Sequence, residues 1–339
     1  MKWPCVAREF VPLGQRTTLK VGGQARYLLE PSKPEELLAA YQACRERGIE
    51  PRILGGGANL IIADGVLDGV VITTERMGRT FRPLETDQPA TPDALDLDPN
   101  ADDNIKRDAQ SLTDITAPAF DQKNPRLVTW AGASMPGVVR AASDLGWTGL
   151  EGLIGVPGQI GGGLAMNAGG RWGELFDVVE LIRIITRDGE MRDVPRSETS
   201  PRYRNGGLDA LDAVIVVGAV LKLEVDNKIA VRARARDFLL EKRAAQPVTE
   251  ASAGCIFKNP TALYQGEKLG AGQLIDRLGL KGLSIGKAQV SHLHGNFIVN
   301  HGGATATDVL ELIQAIQRAV FDQSGIELEI EVRRWVPEP

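Results

Sequence analysis

Between Gly149 and Gly170 the chain reads GLEGLIGVPGQIGGGLAMNAGG. So dense a run of glycine is a poor helix or strand interior, since each Gly there costs roughly 0.5–1 kcal/mol relative to Ala. A solvated linker would be polar, whereas Leu153, Ile154, Val156, Ile160, Leu164 and Met166 are apolar. Two readings remain for a buried, glycine-dense backbone. Either a large phosphorylated cofactor approaches it closely, or it forms tight turns in a core.

A second glycine loop bears on that choice. A short predicted strand, Pro51–Leu54, runs into Gly55, Gly56, Gly57, Ala58, Asn59 and Leu60. Backbone N–H groups in such loops form anion-binding concavities. The loops at 55–59 and 155–163 could together cradle one diphosphate, which favours a dinucleotide-type ligand. The two common nucleotide signatures are absent: there is no Gly-x-Gly-x-x-Gly, and Gly282–Lys287 is too short for a P-loop.

Bulk properties exclude other classes. A formal net charge of -5 gives no footprint for nucleic acid. No apolar run reaches the roughly 18 residues of a membrane helix, and the N-terminus carries no signal segment. The three cysteines, Cys5, Cys44 and Cys255, are odd in number and sparse. They suit a reducing compartment, and the expectation is a cytoplasmic monomer without a disulfide framework.

Taken in order, the chain predicts a turn followed by a strand over residues 17–30 and a helix from Ser32, with Glu35 completing a capping box and Gly48 as the stop. Leu37, Leu38, Tyr41 and Cys44 form its stripe. Further strands are expected at Gly69–Thr73, Leu127–Ala131, Val178–Thr186 and Val214–Glu224, and a helix at Ser134–Gly146. Helices follow at Ala230–Ala245, Ala271–Leu278 and Thr305–Ser324, the last with Val309, Leu310, Ile313, Ile316, Val320 and Phe321 on one face. Ile326–Trp335 alternates apolar and charged residues and predicts a half-exposed strand. Residues 83–125 carry ten acidic residues and several prolines and read as a disordered insertion. A domain boundary is placed near residue 226.

Three sparse polar positions lack an obvious structural role. Arg204 sits in the turn Tyr203-Arg204-Asn205-Gly206-Gly207, either at a site mouth or simply on the surface. Cys255 lies in a Gly-Cys turn of a predicted loop, as a proton donor or an inert thiol. Glu331, on the alternating strand, is by default a solvated edge carboxylate. His292 and His294 would share one face of a strand. With no Cys or carboxylate at ligand spacing, no metal is expected there.

The ordered motifs TLKVGG, LGGGANL, EGLIGVPGQIGG, MNAG, YRN, GCIFKNP, AQVS with downstream HGNFIVN, and EVR resemble the UDP-N-acetylenolpyruvoylglucosamine reductase (MurB) family, from about residue 15 to 335. That resemblance implies an α+β chain. Residues 15–225 would be a two-subdomain FAD-binding domain of the PCMH/vanillyl-alcohol-oxidase type, and 226–336 a smaller α+β substrate-binding domain. It implies NADPH-dependent reduction, through FAD, of a UDP-sugar enolpyruvyl ether. Leu54 to Leu60, Gly155, Val156, Pro157, Gly158, Ile160, Gly161, Gly162, Asn167, Ala168 and Gly169 would hold FAD. Arg204, Cys255 and Glu331 would be catalytic, with Cys255 at a proton-donor position that is often Ser. Tyr203, Lys258 and Asn259 would contact substrate. The chain departs from the pattern at Gly206, where the family usually has Ser, and at Leu293, where it commonly has Lys. The shorter family type, without a Tyr-bearing substrate loop, fits better. The alternative is another FAD-linked oxidoreductase of the same superfamily acting on a sugar or hydroxy acid. Such an enzyme would want a covalent flavin attachment His or Cys in the first domain, and none of the three histidines lies there.

Overall fold

Local capping signals set several element boundaries. The structure, a computed structural model, describes residues 2–81, 104–105 and 125–336. The expected insertion at 83–125 lies outside these residues apart from Asn104, Ile105 and Pro125. The helices are α1 (Pro34–Arg45), α2 (Met135–Leu145), α3 (Ile160–Ala165), α4 (Lys228–Ala245), α5 (Ala271–Arg277) and α6 (Ala306–Ser324). Ser134 caps α2 by accepting the Gly137 N–H at 3.1 Å, and Gly146 ends it in the left-handed region. Thr305 and Asp308 form a reciprocal box at the start of α6, and Gly325 stops it. At α1 the expected box shifts. Pro34 occupies the first turn, and Ser32 pairs through N–H and hydroxyl with Glu36 at 2.8 and 2.9 Å rather than with Glu35. A proline pre-set for the first helical turn fixes where the helix begins.

Packing divides the described residues into two units, each built from separated segments. The first takes the chain up to Arg8, Leu28–Gly56 and Val70–Leu240; the second takes Glu9–Tyr27, Gly57–Gly69 and the chain from Glu241 onward.

In the first unit a six-stranded antiparallel sheet has the order Met191–Pro195, Val179–Thr186, Ala213–Lys222, Arg126–Trp130, Thr80–Phe81, Asn104–Ile105. α2 and α3 cover one face, where Val138, Val139, Ile160 and Leu164 meet Leu127, Ile182, Ile184, Ala219 and Leu221. Arg183 is buried within the strand Val179–Thr186 and forks onto Asp193 at 2.7 and 2.9 Å. A buried guanidinium requires such a partner. Elsewhere in this unit, Arg52–Leu54 pairs in parallel with Val71–Thr73. Cys44 is fully buried in α1, and desolvation pushes its thiol up to about 11.

The glycine stretch, expected to be neither helix nor strand, contains α3, half of whose six residues are glycine. Packing offsets their entropic cost. A Cβ on Gly161 would lie 2.8 Å from that of Ala131, and one on Gly163 would lie 2.5 Å from the Met135 methyl.

In the second unit the antiparallel order is Ser252–Cys255, Phe297–Asn300, Ala288–Val290, Ser284–Ile285, backed by α5 and α6. Its core joins Leu274, Ile298, Val309, Ile313 and Ile316 to Leu19, Val21 and Ile61. Two expectations change here. Within the expected strand Ile326–Trp335, only Arg333–Trp335 forms a ladder among the described residues, parallel to Leu60–Ile62. Upstream, the alternation is real in burial, with Ile326, Leu328 and Val332 inside. That backbone is instead bonded irregularly, for example Gln317 Nε2 to the Leu328 carbonyl at 2.8 Å. Phe321 is 50% exposed, and Leu312 takes a core place on α6 instead.

Candidate active site

The first unit brings the two glycine loops together. A Cβ on Gly56 would sit 2.6 Å from Gly158 Cα and 3.0 Å from Gln159 N, so two bare backbones run against one another. A Cβ on Gly55 would be 3.9 Å from Gly162 N, while one on Gly162 would meet nothing within 4 Å. Gly155 and Gly158 take φ of 75° and 100°, conformations a side chain resists. Below the loops, Thr74 anchors both: its N–H donates to Leu54 O at 3.1 Å and its hydroxyl to Gln159 Oε1 at 2.8 Å. Ile160 and Gly161 donate their N–H groups to Ala133 and Ala131, each at 2.9 Å, and Met135 donates to Gly158 O. Those two amides therefore hold the loop in place rather than offering themselves to an anion. What the site offers a diphosphate is close backbone approach and open space at Gly162, which fits the FAD expected there. Gly57 to Leu60 fall in the second unit. There Gly57 O accepts from Thr18 N, and Asn59 O from Arg333 N, both at 3.1 Å.

Past α3 the chain turns sharply. Asn167 is buried at φ 44°; its amide donates to Glu174 at 2.6 Å and its carbonyl accepts the Phe176 N–H at 3.4 Å. Ala168 N–H donates to Gly163 O at 2.7 Å. Gly169 and Gly170 then pair with Glu174 and Gly173 in a tight hairpin. Arg204 reaches this hairpin, donating from Nη1 to Gly169 O at 3.1 Å. It does so from a left-handed backbone, φ 57°, with its guanidinium 5.1 Å from the centre of the exposed Tyr203 ring. A non-glycine residue held there signals strain that the surroundings must maintain. The Gly206 departure has a local cause: a Cβ there would lie 2.1 Å from Leu164 O.

The second unit holds the other pair of candidates. Cys255 ends a strand rather than lying in a loop, paired opposite Phe297 across an irregularity at Gly254, φ 77°. The next residue, Ile256, accepts the Glu331 N–H at 2.8 Å, and Phe257 bridges Ile330. Cys255 and Glu331 therefore stand on adjoining segments, both half-buried. Lys258 donates its N–H to Glu329 O and forms an ion pair with the Glu329 carboxylate. Asn259 accepts the Ala271 N–H at 3.0 Å at the start of α5. His292 lies in a bend and His294 in the loop just after it, neither on a strand. His294 is packed edge-on to Phe297 with its Nδ1 accepting from Asn296 N, and burial lowers its pKa. Among the described residues no group of three or more His, Cys, Asp or Glu could hold a metal.

Sequence reasoning missed Glu151, although the residue lies inside a motif it used. Its buried carboxylate accepts from Thr148, from Gly149 N and from Arg234, each at 2.7 Å. No spacing rule connects Glu151 to a partner on α4.

A family model described as UDP-N-acetylenolpyruvoylglucosamine reductase, C-terminal domain, matches residues 246–335, and one described as FAD binding domain matches 111–195. The UDP-N-acetylenolpyruvoylglucosamine reductase of Deinococcus radiodurans is 37% identical over 96% of this chain and 95% of its own length. That of Desulfosudis oleivorans is 36% identical over 95% and 92% respectively. The crystal structure of the Thermus caldophilus UDP-N-acetylenolpyruvylglucosamine reductase (MurB) superposes with a TM-score of 0.70 at 33% identity, covering 98% of this chain and all of that one. The α+β architecture is that of an FAD-binding domain with a MurB C-terminal domain, and this chain belongs to the UDP-N-acetylenolpyruvoylglucosamine reductase family.

Proposed function

We propose that Arg204, Cys255 and Glu331 carry the reaction of this enzyme, the reduction of UDP-N-acetylglucosamine enolpyruvate to UDP-N-acetylmuramate for peptidoglycan. When bound at the glycine loops, FAD would supply hydride, drawn from NADPH, for the terminal carbon of the enol ether. Negative charge then builds on the neighbouring carbon and its carboxylate. Arg204, which donates to the Gly169 carbonyl in the first unit, brings a positive guanidinium to stabilise that charge. The Cys255 thiol gives its proton to the neighbouring carbon and is reprotonated from solvent, so hydride and proton together saturate the double bond. Glu331 takes part in stabilising the same developing charge. Tyr203, Lys258 and Asn259 contact the UDP-sugar. Residues 15–225 serve FAD and 226–336 the substrate, in a cytoplasmic monomer.

The observation that most supports this reading is the backbone bond from Glu331 N–H to Ile256 O, which puts Glu331 on the segment adjoining Cys255. Stopped-flow of the two half-reactions tests it. Cys255→Ala should leave flavin reduction by NADPH nearly intact. It should slow reoxidation by the enolpyruvyl substrate by about 10²–10⁴-fold, and Cys255→Ser should recover part of that loss. An unchanged second half-reaction removes Cys255 from the mechanism.

A further inference from the structure

We propose that α4 clamps the Gly149–Gly170 stretch at both ends, and that Arg234 and Phe238 are thereby positioning residues for Arg204. The inference rests on the catalytic role given to Arg204 above. Arg234 and Phe238 are four apart and share one face of α4.

Arg234 holds the beginning of the stretch. It donates to a single Glu151 oxygen from Nη2 at 2.7 Å and from Nε at 3.1 Å, and to Asp226 at 2.6 Å. The Glu151 side chain is 6% exposed, and its other oxygen accepts Gly149 N–H, the first amide of the stretch. Burial raises the Glu151 pKa, but the hydrogen bonds outweigh it and the net direction is down. The carboxylate is thus an ionised latch at neutral pH.

Phe238 holds the far end. Its ring lies 5.4 Å from that of Trp172. The Trp172 carbonyl lies 2.1 Å from where a Cβ on Gly152 would be, so the two ends of the stretch are back to back. Trp172 sits in the hairpin in which Gly169 pairs with Glu174. Gly169 O is the acceptor for Arg204. A continuous run of contacts therefore leads from α4, through the hairpin, to a guanidinium held in a strained backbone. Without the clamp, the hairpin that carries the Gly169 carbonyl loses one of its supports, and the Arg204 contact with it loosens.

The test uses the FAD-loaded enzyme and its apoprotein. Phe238→Ala should slow flavin reoxidation by the enolpyruvyl substrate by about tenfold, the scale of a small misplacement of a reacting group. Reduction by NADPH should change less than about twofold on the same reasoning. In an Arg204→Lys background Phe238→Ala should add nothing, because residues that act through one network are non-additive. Amides 167–174 of the apoprotein should exchange hydrogen faster in Phe238→Ala than in wild type. Arg234→Lys, which keeps the charge but not the fork, should repeat the pattern should Phe238→Ala fold poorly. Equal slowing of both half-reactions, full additivity with Arg204→Lys, or unchanged exchange at 167–174 overturns the clamp. If Arg204→Lys alone leaves reoxidation unaltered, the fault lies in the role of Arg204 rather than in the clamp.

Discussion

Replacing Gly162 by Ala separates what the cradle backbone needs for folding from what it needs for its ligand. Gly162 lies inside α3, is exposed, and has φ outside the left-handed region; a Cβ there meets nothing within 4 Å. In the apoprotein the methyl group is therefore free of clashes. It should stabilise the chain by about 0.5–1 kcal/mol, the usual Gly-to-Ala difference in a helix. If the FAD diphosphate lies on this backbone, the same methyl takes the space the phosphates occupy. Displacing them should weaken FAD about 10- to 100-fold, or about 1.4–2.7 kcal/mol. Gly56→Ala behaves differently. Its Cβ would meet Gly158 Cα at 2.6 Å and Gly158 C at 2.9 Å. Backbone cannot swing aside as a side chain can, so the loops must part. Overpacking of that kind costs about 1–3 kcal/mol. Urea unfolding of each apoprotein and fluorescence titration with FAD give the four numbers. Gly162→Ala should be more stable than wild type but bind FAD more weakly, whereas Gly56→Ala should be less stable than wild type and also bind FAD more weakly, because its two loops are forced apart. If Gly162→Ala binds FAD as wild type does, the diphosphate is not at Gly162 and the cradle is wrongly assigned.

Two further outcomes are expected. Lys242 is buried, and desolvation lowers its pKa from 10.5 to about 8. The folded state then releases a proton that the unfolded state keeps, so stability should rise with pH between about 8 and 10.4. Denaturant midpoints should show this, and Lys242→Met should abolish the rise. Gly206→Ser should lower the melting temperature, since its Cβ would lie 2.1 Å from Leu164 O. A normal melting temperature would mean that the segment around Leu164 yields without strain.

How far the sequence could be read depended on distance along the chain. Caps at Ser134, Gly146, Thr305 and Gly325 were legible because donor and acceptor lie within one turn. The two glycine loops were legible as a pair because only glycine lets backbones approach so closely, although which amides are already committed was not. The alternation at 326–332 reported burial correctly but not pairing, because its acceptors, such as Ile256 O, lie on a remote segment. Cys255 looked like a loop residue because Gly254 interrupts the strand pattern that Phe297 completes. Asp64 gave no signal at all. Its carboxylate accepts the Ala306 and Thr307 N–H groups at 3.1 and 2.9 Å, closing the start of α6 from 242 residues away.

The interleaving of the two units bears on how the chain is made. Leu19, Val21 and Ile61 complete a core otherwise drawn from residues 253–332, and among the described residues Leu60–Ile62 pairs only with Arg333–Trp335. At about 5–20 residues per second, the early segments wait many seconds during synthesis for partners not yet made. Until then their apolar side chains are open to aggregation or to a chaperone. Parallel pairing across so long a span is intrinsically slow. The second unit therefore closes only when the final strand emerges, and a truncation a few residues short of Trp335 should leave the N-terminal segments unpaired as well as the C-terminal ones.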